Sequence, residues 1–201
     1  GVLWSEPMPM APRSLLLDAV VVGGRIVAVG ERGHVLVSDD NGDSWTQSSV
    51  PTRSMLTAVA AAPGGKVWAV GHDAVIVHSS DGGKTWSLQY FDREAESPLF
   101  DVWFENAEHG VAMGAYGLVL ETWDGGKTWE RLEVDDERER HWYAVTEAPD
   151  GTLYVAAEFG AVFRSTDRGR SWELLPTPYG GSYFGGLTLQ DGAVLVFGLR
   201  G

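Results

Sequence analysis

Four aspartates stand in one repeated frame. Asp40, Asp81, Asp124 and Asp167 each follow a Ser or Thr by two positions, precede a Gly by two and a Trp by five. A carboxylate so placed could ligate a cation, move a proton or accept hydrogen bonds from its own turn. The frame favours the last use. Asp accepts bonds from backbone N–H groups one turn on, the hydroxyl can bond the same loop, and the Gly supplies a left-handed position. Asp39-Asp40-Asn41-Gly42-Asp43 has the look of a calcium loop but lacks the later bidentate Glu that such a loop needs. His34, His72, His78, His109 and His141 show no ligand spacing. There is no cysteine, hence no disulfide, thiolate metal site or thiol nucleophile. A glycosidase would need two carboxylates at a fixed separation, and none of the 28 Asp and Glu residues is singled out by pattern. The sequence therefore names no catalytic, metal-binding or cofactor-binding residue.

The elements that carry these residues are legible from the period. The tryptophans of the frame, Trp45, Trp86, Trp129 and Trp172, lie 41, 43 and 43 residues apart. In phase with them run four-residue loops beginning at Gly30, Gly71, Gly114, Ala157 and Gly198, each between short β-type runs. Another apolar run precedes each pair. One period thus reads as four strands, A to D, with the Asp frame in the C–D hairpin, the unit of a propeller blade. No segment has helical periodicity. The expected fold is all-β: a β-propeller of four-stranded antiparallel blades forming one domain over 1–201. The blades fall at about 15–50, 56–92, 98–134 and 142–177, with a partial fifth at 184–201. Residues 2–8 are a candidate ring-closing strand. The fifth unit stops before its own Asp frame, which suggests a piece of a seven-bladed ring, or open edges that favour self-association.

Composition narrows function further. The formal net charge of −13 excludes the basic face that nucleic-acid binding requires, and an anionic membrane surface would repel the chain. Apolar run 15–22 is broken by Asp18 and too short to cross a bilayer, so direct membrane insertion is not expected.

The recurring [ST]-x-D-x-G-x-[ST]-W segment resembles the Asp-box, or bacterial neuraminidase, repeat. With its uniform short period and G-x-x-G loops, the chain is similar to the photosystem II stability/assembly factor family over nearly its whole length. That resemblance implies a non-catalytic, periplasmic or otherwise extracytoplasmic propeller that holds a protein client, such as a membrane-protein subunit. The family also implies an arginine-rich patch. Here the arginines are scattered (Arg32, Arg53, Arg93, Arg164, Arg168, Arg170, Arg200) in an acidic whole, which points to a non-photosynthetic client. Sialidases share the box, yet the Arg-Ile-Pro segment expected of them is missing, since Arg25-Ile26 is followed by Val27. The alternative is a carbohydrate-active propeller, lectin or glycoside hydrolase, using the same loop face.

That face carries the B–C tips and the longer D–A connections, opposite the Asp boxes. Variable charged and aromatic tips on a regular scaffold are where binding concentrates. The candidate partner-binding residues are Arg32, His72, Asp73, Tyr116, Glu158, Phe159 and Arg200.

Overall fold

The computed structural model describes residues 2–94, 96–134 and 138–199. Four four-stranded antiparallel sheets follow one another, each in plain A-B-C-D order, and a two-stranded sheet comes after them. The first comprises β1 (Leu16–Val22), β2 (Arg25–Gly30), β3 (Val35–Ser38) and β4 (Thr46–Ser48). The second comprises β5 (Leu56–Ala62), β6 (Lys66–Gly71), β7 (Ile76–Ser79) and β8 (Ser87–Tyr90). The third comprises β9 (Leu99–Phe104), β10 (Gly110–Gly114), β11 (Val119–Thr122) and β12 (Glu130–Arg131). The fourth comprises β13 (Trp142–Glu147), β14 (Leu153–Ala157), β15 (Val162–Ser165) and β16 (Glu173–Leu175). Strands β17 (Tyr183–Thr188) and β18 (Val194–Gly198) form the last pair. Four short 3-10 turns are the only helical elements among the described residues.

Successive sheets stack through their A strands, β1 on β5, β5 on β9, β9 on β13 and β13 on β17. A separate apolar layer fills each gap. Val27, Val29 and Val35 of the first sheet meet Val67, Val77 and Trp86 of the second. Trp68 and Ile76 meet Val102, Phe104 and Leu120 in the next gap, and Met113 and Val119 meet Trp142, Val155 and Phe163 in the one after. The middle strands β3 and β10 are buried at every position, and β10 lies in a sheet with a neighbouring sheet on each side. The outer strands β12 and β16 are exposed or partly so. At the two ends of the stack the pattern alternates. Leu17 and Val21 of β1 are exposed, as are Leu187, Leu195 and Phe197 of the last pair.

The in-phase spacing of the box tryptophans predicts four equivalent core residues, and their burial departs from that expectation. Of the box tryptophans only Trp86 is buried, while Trp45, Trp129 and Trp172 are half-buried. Two of them cap their own hairpins: the Trp45 and Trp86 indole N–H groups donate to the Gly42 and Gly83 carbonyls at 3.0 and 2.8 Å, whereas those of Trp129 and Trp172 make no such bond. The fully buried indoles are Trp68 and Trp142, outside the boxes. Residues 2–8 hold no assigned strand, and the segment lies along the outer edge of the first sheet. There the Ser5 amide donates to the Val50 carbonyl at 2.8 Å and the Met8 amide to Gln47 Oε1 at 2.8 Å.

Candidate functional site

The box carboxylates are occupied. Asp40 accepts from the Ser44 amide at 2.8 Å, the Ser44 hydroxyl at 2.5 Å and the Ser38 hydroxyl at 2.8 Å. The Ser38 oxygen in turn accepts from the Gly42 amide at 2.8 Å. The other three boxes repeat the set. These bonds favour the ionised form. The Ser44 bonds hold Asp40 at about 2. Burial works against ionisation at Asp81, yet the Thr85, Ser79 and Lys84 bonds still hold it at about 2. Asp124 and Asp167 are lowered as well. Such saturated carboxylates close turns, and among the described residues no His, Asp and Glu group is arranged to hold a metal ion. The boxes also dock neighbouring sheets. Ser48 Oγ donates to the Gly83 carbonyl at 2.7 Å, and Gln89 Nε2 to the Gly125 carbonyl at 2.9 Å.

The same end of the molecule holds an ionic network. Arg168 reaches Glu105 at 2.9 Å and Glu147 at 2.6 Å, and its guanidinium lies 4.9 Å from the Trp103 ring centroid. His109 contacts Glu105 at 2.9 Å and Glu121 at 3.1 Å and stacks on Trp123 with centroids 3.8 Å apart. The Arg168 bridges fasten the third sheet to the fourth.

The opposite end is built differently. The B–C tips share one conformation: Arg32, Asp73, Tyr116 and Phe159 all sit in the left-handed region, at φ 57, 58, 55 and 54°. A non-glycine residue is strained there, and such strain persists where a side chain must be presented. Tyr116 and Phe159 expose 56% and 54% of their surface. A glycine opens the first three of these loops and allows the tip a tight approach. A Cβ on Gly71 or Gly114 would collide with the carbonyl oxygen of Met55 or Pro98.

A second device lies beside the tips. Each A strand bulges at its second residue, where the register shifts around Leu17, Thr57, Phe100, Tyr143 and Phe184. A bulge re-aims its side chain, and in the last three sheets that side chain is aromatic. Tyr143 lies 5.2 Å from Phe100 and 5.1 Å from Phe184, centroid to centroid. His141 lies 6.0 Å from both Phe100 and Tyr143, and Tyr116 meets it edge-on at 4.7 Å. Glu158 is set into the array. Its carboxylate accepts from the His141 amide at 3.1 Å and stands 3.9 Å from His141 Nδ1. Burial raises the Tyr143 phenol, and the Glu158 charge raises it further.

Of the sequence candidates, Tyr116 and Glu158 come together through His141, and Phe159 follows Glu158 at the same tip. Among the described residues no contact joins Arg32, His72 or Asp73 to the array; Asp73 instead accepts from Ser54 Oγ at 2.6 Å. Arg200 lies outside the described residues, as do residues 135–137 of the acidic connection. Sequence reasoning missed Phe100, His141, Tyr143 and Phe184. A signal existed, because the bulge positions keep the period of the boxes, but nothing in one strand marks which residue will bulge.

Two further carboxylates fasten A strands. Asp18 accepts from the Val59 amide and Asp101 from the Val145 amide, each at 2.8 Å across to the next sheet. Burial pushes Asp101 up to about 7, with the Asp18 charge adding to the rise, and Asp18 is raised by burial as well.

Comparison with known proteins bears on the fold. The family model described as Photosynthesis system II assembly factor YCF48 matches residues 87–179, and the BNR/Asp-box repeat matches 77–88. No curated protein matches. A solved structure of YCF48 bound to D1 peptide shares 19% identity at a TM-score of 0.72, over 90% of this chain and 59% of that one. YCF48 from Cyanidioschyzon merolae gives 19% and 0.72, over 96% and 66%. An ancestral GH74 enzyme gives 17% and 0.73, over 92% of this chain and 29% of its own. The chain thus spans about three fifths to two thirds of the length of these YCF48 structures. It is an all-β Asp-box propeller chain, similar to the photosystem II assembly factors, and it shares its fold with glycoside hydrolases. Among the described residues no helix is long and apolar enough to cross a membrane.

Proposed function

From a propeller scaffold similar to the YCF48 assembly factors, we propose that the chain is a non-catalytic module that binds a protein client on its B–C and D–A face. The observation that carries this reading is the aromatic array of Tyr116, His141, Tyr143, Phe100 and Phe184, in which Tyr116 and Phe184 are exposed and the other three half-buried. The client is a protein segment, by likeness to a neighbour whose structure holds a D1 peptide. A membrane-protein subunit met outside the cytoplasm, in a non-photosynthetic setting, is the specific form we favour. Arg32, His72 and Asp73, at the B–C tips of the first two sheets, belong to the same face.

The test is capture of the client from the source organism with photo-crosslinkers placed at the two faces. Crosslinks are expected from positions 116 and 159 and not from the box positions Lys84 and Lys127. A Tyr116→Ala, Phe159→Ala double variant should lose about tenfold in capture, as central aromatic anchors do, with a melting temperature within about 2 °C of the parent. Crosslinking from the box face alone would refute the assignment.

A second reading is supported by the raised Asp101 beside Asp18, together with the GH74 fold likeness. A carboxyl titrating near neutrality can serve as a general acid. Both carboxylates here are engaged by backbone N–H groups of the next sheet, which supports a fastening role instead. Saturable glycan binding abolished by the aromatic double variant would move the assignment to this reading. The exposed apolar faces at the ends of the stack also support self-association of the 201-residue chain. Sedimentation at rising concentration would show it as a growing coefficient.

A further inference from the structure

We infer that Glu158 and the rings around it form a subsite for a basic side chain of the client, a guanidinium or ammonium group carried on an extended peptide. The inference rests on the reading of the loop face as the binding surface and adds to it the chemistry of one pocket.

The rings and the carboxylate are complementary to a cation in two ways. Aromatic faces carry negative charge density and attract a cation placed within about 6 Å. Tyr116, His141, Tyr143 and Phe100 lie at centroid spacings of 4.7 to 6.0 Å, close enough for one planar group to touch several of them. Phe100 and Tyr143 stack on each other, while Tyr116 meets His141 edge-on and keeps 56% of its surface exposed. Glu158 supplies the full charge. An ionised carboxylate offers about four acceptor sites; the His141 amide and the Tyr143 phenol take two of them. The Glu158 side chain is 21% exposed and that of His141 24%. The charge is therefore reachable, yet sheltered enough for a charged hydrogen bond to count for more than on an open surface.

Charge on the larger scale agrees. The net charge of −13 draws a basic segment towards the molecule and repels an acidic one. An aliphatic side chain in the same place would cover Glu158 without pairing it, a costly burial of charge. The strained backbone of Tyr116, at φ 55°, also has a use here: it holds one ring against His141 at the mouth of the pocket.

The probe is a set of three blocked tripeptides, Ac-Gly-Arg-Gly-NH2 and its norleucine and glutamate counterparts, titrated into the isotopically labelled 201-residue chain. Saturable resonance shifts at Tyr116, His141 and Glu158 are expected with the arginine peptide at millimolar concentration, and not with the other two. Glu158→Gln keeps an acceptor for the His141 amide but removes the charge. It should weaken the arginine peptide by about tenfold, the worth of one charge-assisted bond, with the melting temperature unchanged. Tyr116→Ala, a tip substitution, should weaken it severalfold, whereas Lys84→Ala should not. Equal response to all three peptides, or no saturable shift at the array, overturns the subsite. The outcome is separable from that of the face itself. If the face binds the client but the subsite is wrong, the Tyr116→Ala, Phe159→Ala variant loses capture while Glu158→Gln captures like the parent. If the face is wrong, neither variant affects capture, whatever the peptides do.

Discussion

Trp68→Ala is expected to destabilise the chain by about 3–5 kcal/mol, the range for a large aromatic removed from a packed interior. At this length that is a fall of roughly 10 °C in melting temperature. The indole is wholly buried, lies parallel to Phe104 of the next sheet with centroids 3.6 Å apart, and donates to Gln89 Oε1 at 3.1 Å. Gln89 in turn donates to the Gly125 carbonyl in the third box. Removing the indole therefore opens a cavity between the second and third sheets and leaves the Gln89 oxygen without its donor. Trp45→Ala, at a half-buried indole in a box, should cost clearly less. Thermal denaturation of the two variants side by side checks the ranking. Equal losses would mean that the gaps between sheets do not hold the core, contrary to the packing described.

The second large effect concerns pH. Asp101 titrates near 3.8 in an unfolded chain and near 7 in the folded one, because burial disfavours its charge. Between those values the folded protein holds a proton that the unfolded chain has released. Stability from this group therefore falls as pH rises from about 4 to 7. The full shift corresponds to about 4 kcal/mol; since the residue keeps some exposed surface, about 2 kcal/mol is the expected loss, or roughly 4–8 °C at this length. In Asp101→Asn the loss is absent. The melting temperature of the parent minus that of the variant should accordingly decline across the window. A difference that stays flat with pH would show that Asp101 is ionised throughout. The box aspartates act with the opposite sign. Asp40 and Asp81 are held at about 2, so their contribution is complete above 3.8 and fades as pH drops towards 2.

How far the site could be read in advance differs from element to element. The Asp box was fully legible because each of its bonds is made within five residues. Asp40, Ser38, Gly42 and Ser44 close on one another whatever the rest of the chain does. The B–C tips were legible for a similar reason, since a glycine-flanked loop between two apolar runs has few conformations. The aromatic array was not. Tyr116, Phe100, His141 and Glu158 come from separate turns and strands, and Phe184 from the next sheet again. Their meeting depends on how one sheet stacks on another and on a bulge that turns one residue of each A strand.

The tryptophans mark the same division. Sequence alone determined that Trp45, Trp86, Trp129 and Trp172 stand at equivalent places, because period is a property of one dimension. Which indoles the core would cover was decided by the packing of whole sheets. Trp68 and Trp142 fall in the gaps, while three of the four box tryptophans sit at the gap ends and keep part of their surface in water. The fate of the carboxylates follows the same rule. Asp40 and its counterparts are paired by neighbours in sequence, and so their role was readable. Asp18 and Asp101 take their partners from the next sheet, about forty residues on, and only the stacked fold reveals them as fasteners. Local hydrogen bonds are written in the order of residues; contacts between sheets exist only once apolar faces have been brought together and water has been excluded from between them.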